Sequence, residues 1–327
     1  MSTKIDFDKL FKDKKVILAP MAGITSFAYR QFMSKFGTAM EYSEMISDCG
    51  LIYKNKETKD LLFTDNKENF LVIQLFGGDK DNLVKAVKIL ESYNINYKMI
   101  DINLGCPVYK VVRNNGGSAW LKDLSSLEDC MQEIVKTSSK PVSVKIRLGW
   151  DQEHINVREA VKMFEKVGVS LIAIHARTTK QGYSGTAQYN ELNNIQDLVK
   201  IPIVISGDIF TASDAKKALE ITKAKAVMVA RGAIGNPKLI LEINNLLVDG
   251  TMVNEIRSFD EQKKFLIEFM DMLIEEKGEE LAVRLLRSIA PKFFSSFPNS
   301  KVLRVSLSNN IFKREDVLNI LNSYCNE

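Results

Sequence analysis

Val142-Ser-Val-Lys-Ile-Arg147, then a helical pattern over 157–167, then Leu171-Ile-Ala-Ile-His175, is the stretch that decides the fold. Both short runs are largely apolar and β-branched, whereas the segment between them spaces its apolar residues three and four apart. Strands that are apolar on both faces need a cover on both, which a strand–helix–strand crossover supplies. The pattern extends in both directions. Candidate strands fall at 16–19, 39–44, 70–76, 99–103, 142–147, 171–175, 203–206 and 226–230. Helical periodicity fills 81–92, 127–138, 157–167 and 212–222. Eight such units fit a closed α/β barrel of the (β/α)8 TIM type better than an open sheet. Beyond about residue 249 the strand signal stops. Amphipathic helices are expected at 259–276, 279–289 and 313–324, joined by Gly278 and the Phe297-Pro298-Asn299 turn. The expected organisation is a barrel over 1–250 and a C-terminal all-helical domain over 251–327.

The length of 327 residues suits a barrel plus a small addition. Hydrophobic residues make up 45% and charged residues 26%, enough for a large core. No apolar run has the length of a membrane span and the first residues lack a secretory pattern, so a soluble cytoplasmic protein is expected, acting as a monomer. Cys49, Cys106, Cys130 and Cys325 are widely spaced without a Cys-x-x-Cys pair, and the histidines are only His154 and His175. Neither a disulfide framework nor a metal site is expected. There is no Gly-x-Gly-x-x-Gly or Walker-type loop, which disfavours a Rossmann domain. The formal net charge of +4 is modest. Arg284, Arg287, Lys292, Lys301, Arg304, Lys313 and Arg314, against Glu315, Asp316 and Glu327, concentrate positive charge in the last helices. That excess is either a solvated helical face or a surface for nucleic acid.

In a barrel of this kind, function sits at the C-terminal strand ends. Polar and unusual residues gather there: Pro20-Met21-Ala22-Gly23, Gln74, Asn103 with Gly105-Cys106-Pro107, Lys145 and Arg147, His175 and Arg177, Ser206-Gly207-Asp208, and Ala230-Arg231-Gly232. The loops after strands seven and eight recurrently bind phosphate in this fold. Gly207 and Gly232 would admit a phosphate to backbone N–H groups with Arg231 beside them, or else merely turn the chain. Alternation places Ser143, Lys145 and Arg147 on one face of the fifth strand. A lysine inside the mouth needs an anion, either a ligand or a carboxylate such as Asp101. A lone His175 is ordinarily a core residue, but its place two residues before Arg177 favours function. His154 is expected at the surface. Cys106, in the long loop after strand four, is a candidate general acid. Cys49, Cys130 and Cys325 are expected to be buried or incidental.

These motifs resemble the tRNA-dihydrouridine synthases. The resemblance is carried by Leu18-Ala-Pro-Met-Ala-Gly-Ile-Thr25, Glu44-Met45, Gln74-Leu-Phe-Gly77, Asp101-Ile-Asn-Leu-Gly-Cys-Pro107, Gly117-Ser-Ala119 and Pro141-Val-Ser-Val-Lys-Ile-Arg-Leu-Gly-Trp150. It continues through His175-Ala-Arg-Thr178, Gly207-Asp-Ile209 and Ala230-Arg-Gly-Ala-Ile-Gly-Asn-Pro237. The Asp-Ile-Asn-x-Gly-Cys-Pro element with its downstream Gly-Ser-Ala is the most specific part. The resemblance implies FMN as cofactor and NADPH as reductant. It implies that Pro20, Met21, Ala22, Gln74, Lys145, His175, Ser206, Gly207, Asp208, Ala230 and Arg231 hold the flavin. It gives Asn103 and Arg177 to the target uracil and makes Cys106 the proton donor. Ser206 stands where the family usually has Asn, and Ala230 where it usually has Gly. The tail departs further, with Ile289 at a usual His position and Lys292 at a usual Trp position.

The implied reaction adds hydride to C6 and a proton to C5 of a uridine in tRNA, giving 5,6-dihydrouridine. Two neighbouring readings share the barrel chemistry: the same reaction on ribosomal RNA, and an FMN barrel reductase of a free pyrimidine resembling dihydroorotate dehydrogenases. A third, of another class, is a flavin-binding RNA scaffold without catalysis, against which Cys106, Lys145 and His175 weigh. The basic tail favours RNA.

Overall fold

The computed structural model describes residues 5–65, 68, 70–252 and 257–324. Eight parallel strands close a barrel in sequence order: β1 Val16–Leu18, β2 Met40–Ser47, β3 Leu71–Phe76, β4 Met99–Leu104, β5 Val142–Arg147, β6 Leu171–His175, β7 Ile203–Ser206 and β8 Ala226–Val229. β1 pairs β8 with Ile17 opposite Met228, which closes the ring. Every expected strand is present. β2 runs three residues beyond its expected end, because its register with β3 shifts between Tyr42 and Met45. A bulge of this kind re-aims nearby side chains. Here the Glu44 carboxylate accepts the N–H of Gly23 in the loop after β1.

Side chains pointing into the barrel change character along its axis. Ile17, Met40, Val72, Met99, Leu171, Val204 and Ala226 form a dry inner core. Closer to the C-terminal end the same faces carry Gln74, Asp101, Asn103, Ser143, Lys145, Arg147 and His175, brought level by the pairs Gln74–Asp101, Asn103–Lys145 and Arg147–His175. The outward faces, such as Ile100, Ile102, Val144 and Ile146, meet Leu83, Val87, Leu127 and Met131 of the surrounding helices. Most strands are therefore apolar outward, with their inward polar residues toward the C-terminal end; β2, which buries Glu41 and Ser43, is an exception.

The helices Lys80–Ser92, Leu124–Thr137, Val157–Lys166 and Ala212–Thr222 lie where periodicity placed them. Further helices at Phe27–Ser34, Lys238–Asn244 and Lys301–Asn309 were not expected. The last of these buries only Leu303 and Leu307, while Val302 and Val305 are exposed, so its apolar residues fall on two faces. The tail helices Phe259–Lys277, Glu279–Ile289 and Arg314–Ser323 share a core with the first helix of the barrel. Tyr29 and Phe32 pack on Phe269 with ring centres 5.5 and 5.6 Å apart. Glu276 reaches across to accept the Ala28 N–H at 2.7 Å, capping Phe27–Ser34 from the tail. Among the described residues no helix is long and apolar enough to cross a membrane. Cys325 and Glu327 lie outside the described residues.

Candidate active site

The strand ends enclose a cavity of about 340 Å³. Of the residues expected at the site, all but Gln74 and Arg177 line it: Pro20, Met21, Ala22, Asn103, Cys106, Lys145, His175, Ser206, Gly207, Asp208, Ala230 and Arg231. A larger groove of about 880 Å³ runs between residues 57–63 and the tail helices. Its walls are mostly apolar and its carboxylates, Glu44, Glu57, Asp60 and Glu276, outnumber its cations. The polar groups suited to chemistry converge on the smaller space.

Lys145 projects from β5 into this cavity. It has neither a hydrogen bond nor an ion pair among the described residues. The expected alternative, a bridge to Asp101, is not formed, because Asp101 accepts from Gln74 Nε2 at 2.7 Å and from Ser143 Oγ at 2.6 Å. Burial, reinforced by the charge of Arg147, pushes the Lys145 ammonium down to about 8. Burial likewise lifts Asp101 to about 7, against the pull of its two donors and of Lys145.

His175 ends β6. Burial first, then the charges of Lys145, Arg147, Arg177 and Arg231, drive its pKa far below the ordinary value and hold the ring neutral. Arg177 Nη1 stands 3.4 Å from Nε2. Arginine cannot accept, so Nε2 is the accepting nitrogen and Nδ1 carries the proton. Arg177 itself turns away from the cavity and is buried. It donates to Asp208 at 2.9 and 2.6 Å and to the carbonyls of Ser184 and Gly185 at 3.2 and 2.7 Å. Asp208 also accepts the Ala187 N–H at 2.8 Å and lies 3.3 Å from Arg231. Its carboxylate thus braces two loops.

The loops after β7 and β8 combine both roles considered for their glycines. Gly207 has φ +124°, and a Cβ there would stand 3.0 Å from the His175 ring. A Cβ at Gly232 would meet the Ile209 carbonyl at 2.2 Å, so that glycine serves loop packing. The N–H groups of Gly207, Asp208 and Ala230 make no bond within the described chain. With Arg231, they are donors available to an anion.

Cys106 is buried in the turn after β4. Asn103 Oδ1 accepts the N–H groups of Gly105 and Cys106 at 3.1 and 2.9 Å, and the Cys106 carbonyl accepts the Ser118 N–H and hydroxyl at 3.1 and 2.9 Å. Gly117 is required here, since a Cβ would lie 2.7 Å from that carbonyl. Burial raises the thiol above its ordinary pKa, against the lowering effect of Arg147 and Lys145. Cys130 is buried as expected. Cys49 is not: it is exposed and has polar company, its N–H bonded to Asp48 Oδ1 at 2.6 Å. Cys49 lies in the first turn of a short helix, Asp48–Ile52. His154 is exposed and pairs with Asp151 at 2.5 Å.

Tyr183 is a cavity residue that sequence reasoning missed. Its exposed ring lies 5.5 Å from the Arg147 guanidinium and 5.1 Å from that of Arg231. Arg147 donates to the carbonyls of Gly105, Thr178 and Gly182, each at 2.8 Å, and so ties the Cys106 loop to the Tyr183 loop. The flanking glycines at 182 and 185, both at positive φ, were the available signal for a shaped loop.

The family model described as "Dihydrouridine synthase (Dus)" matches residues 17–326. A "Probable tRNA-dihydrouridine synthase" of Rickettsia bellii is 34% identical over 291 residues, 88% of this chain and 88% of that protein. A "tRNA-dihydrouridine synthase B" of Pasteurella multocida is 32% identical over 89% of this chain and 86% of that protein. Among solved structures, an amine oxidase (HisD) from Pseudomonas geniculata N1 superposes with TM-score 0.54 at 11% identity, over 72% of this chain and 47% of that one. Histamine dehydrogenase from Rhizobium sp. 4-9 gives TM-score 0.51 at 15% identity, over 79% of this chain and 49% of that one. This chain spans about half the length of each, and the likeness is one of fold. With its barrel, its strand-end constellation and the matching family model, the chain belongs to the dihydrouridine synthase family, flavin-dependent oxidoreductases acting on a CH–CH bond.

Proposed function

We propose that the protein reduces the C5=C6 bond of uridines in tRNA to 5,6-dihydrouridine, with FMN as its flavin and NADPH as the reductant. The observation that carries this reading is one cavity flanked by a Lys145 unpaired among the described residues, a neutral His175 and a protonated Cys106. The names of the relatives support tRNA as substrate.

The donor set fits a flavin phosphate: free N–H groups at Gly207, Asp208 and Ala230, with the Arg231 guanidinium. Pro20, Met21 and Ala22 would supply apolar wall to the flavin, and Lys145, His175 and Ser206 would supply polar contacts. Gln74 and Arg177 support this set from behind, through Asn103 and Asp208. When bound, FMN supplies the hydride for C6. Cys106 holds the proton for C5, and burial keeps the thiol protonated near neutral pH. Lys145 and Asn103 orient the uracil and stabilise negative charge on its carbonyl oxygen. A uridine stacked in folded RNA cannot reach this depth, so the base is extruded into the cavity.

We assign residues 251–327 to RNA docking. Arg284, Lys292, Lys301 and Lys313 are exposed there, suited to backbone phosphates. Arg287 is committed elsewhere: it donates to the Ile311 carbonyl at 3.1 and 2.8 Å and lies over the Phe312 ring at 5.0 Å. Ile289, at the family's usual His position, is part of the core. That difference makes the docking geometry specific to this chain and keeps ribosomal RNA in the test. Mass spectrometry of tRNA and rRNA, from cells with and without the gene, is expected to show dihydrouridine lost from tRNA. Loss confined to rRNA would move the target, and loss from neither would refute the proposal.

A further inference from the structure

Beneath the cavity, Asp101, Gln74 and Asn103 form a chain of side-chain hydrogen bonds whose direction is fixed at one end. An ionised carboxylate only accepts, and a proton on Oδ1, facing a Ser143 hydroxyl that can turn to accept it, still leaves Oδ2 an acceptor. Asp101 takes the Ser143 hydroxyl on Oδ1 and Gln74 Nε2 on Oδ2. That contact turns the oxygen of the Gln74 amide away from Asp101, and Gln74 Oε1 accepts Asn103 Nδ2 at 2.9 Å. The oxygen of Asn103 is thereby left facing its own chain, where it accepts the N–H groups of Gly105 and Cys106. Gln74 and Asp101 are 0% exposed and Asn103 is 5% exposed. A reversed amide would find no solvent to bond, and at Asn103 it would set an NH₂ group against two backbone N–H donors.

We propose that Asp101 is a positioning residue for Cys106: by accepting from Gln74 it fixes the polarity of two successive amides and so holds the turn that carries the thiol. Neither Asp101 nor Gln74 lines the cavity, so both act through Asn103. The importance of the thiol rests on the assignment of Cys106 as proton donor; the hydrogen-bond relay does not.

Acceptance can be separated from charge and from volume. Asp101→Asn removes the charge but keeps an oxygen for Gln74, because the Ser143 hydroxyl can turn to accept the new amide. Asp101→Leu keeps the volume and removes the acceptor. Gln74→Met breaks the same relay at its middle. The readout is alkylation by iodoacetamide, followed by mass spectrometry at the Cys106 peptide, on the protein as purified and at matched flavin content. Cys130, buried elsewhere in the barrel wall, reports general loosening. The Leu and Met variants are expected to alkylate Cys106 about tenfold faster than wild type, with the turn's two backbone hydrogen bonds weakened. The Asn variant should stay within about threefold, and Cys130 should be unchanged throughout. Equal acceleration in the Asn and Leu variants would make charge the determinant and overturn the inference. So would a wild-type rate in the Leu and Met variants, or a parallel rise at Cys130. If the Leu variant does not fold, the Met variant decides. If neither folds, the relay holds the barrel rather than the turn, and the inference fails. Because alkylation needs no turnover, the result stands whether or not the wild type forms dihydrouridine.

Discussion

Lys145→Met should make the flavin-free protein more stable while weakening its chemistry. The lysine sits in the barrel mouth without a partner among the described residues, and its folded pKa is pushed from 10.5 to about 8. The unfolded chain keeps this proton up to about pH 10.5 and the folded chain only to about 8. Folding therefore carries the full penalty below pH 8, and the penalty fades between pH 8 and 10.5. At 1.36 kcal/mol for each tenfold change in proton affinity, the limit is about 3 kcal/mol. The ammonium is partly open to the cavity, so about 2 kcal/mol is the working figure. Methionine has similar length and no charge to desolvate. For a chain of this size, the gain corresponds to a Tm about 3 °C higher at pH 7. Urea and thermal unfolding of flavin-free wild type and variant, at pH 7 and pH 10, measure the difference. It should shrink at the higher pH. A variant no more stable than wild type at pH 7, or a gap that does not close with pH, would show that Lys145 is already paired in the free protein. Flavin affinity and dihydrouridine formation should both fall in the same variant.

Cys106→Ala should retain flavin and its reduction by NADPH, yet lose about 10²-fold in dihydrouridine formation, the scale of a missing general acid; Cys130→Ala, measured alongside, should change little. Gly207→Val combined with Arg231→Ala should release the flavin, seen as loss of yellow colour, since the new side chain collides with His175 and a cationic donor is gone. Replacing Arg284, Lys292 and Lys313 by Ala should weaken RNA binding and flatten its salt dependence by about one log–log slope unit for each phosphate no longer neutralised, read from titrations at several salt concentrations. Arg287→Ala should instead lower Tm, because its bonds to the Ile311 carbonyl hold the tail together.

The barrel was legible because most of its strands carry the signal twice: apolar outward faces, and polar inward residues toward one end. Lys145 and Arg147 stood out because a charged side chain inside an apolar strand is costly without a purpose. What was not legible depends on contacts remote in sequence. Arg177 looked like a ligand residue, but its partner Asp208 comes from the next strand's loop, and no periodicity joins them. Gln74 fits the motif of a cavity residue, yet register with β4 places it against Asp101, below the cavity. Tyr183 sits in a Gly-flanked loop with no repeat, and its position is set by Arg147 on another element. In the tail, positive charge was easy to count. Whether each charge faces outward or ties the tail together, as Arg287 does, is decided by packing.

The cap that Glu276 places on the first barrel helix, with the aromatic contacts around Phe269, makes the two ends of the chain interdependent. Cutting the chain near residue 250 would strip Tyr29 and Phe32 of their contacts with Phe269 and leave the Ala28 N–H uncapped. The first strand–helix unit closes the barrel against β8, so a failure there opens the seam between the first and last strands. The C-terminal helices thus behave as the clasp of a ring, and heat or denaturant should melt barrel and tail in a single transition. During synthesis, the barrel cannot reach its final stability until the last helices have left the ribosome.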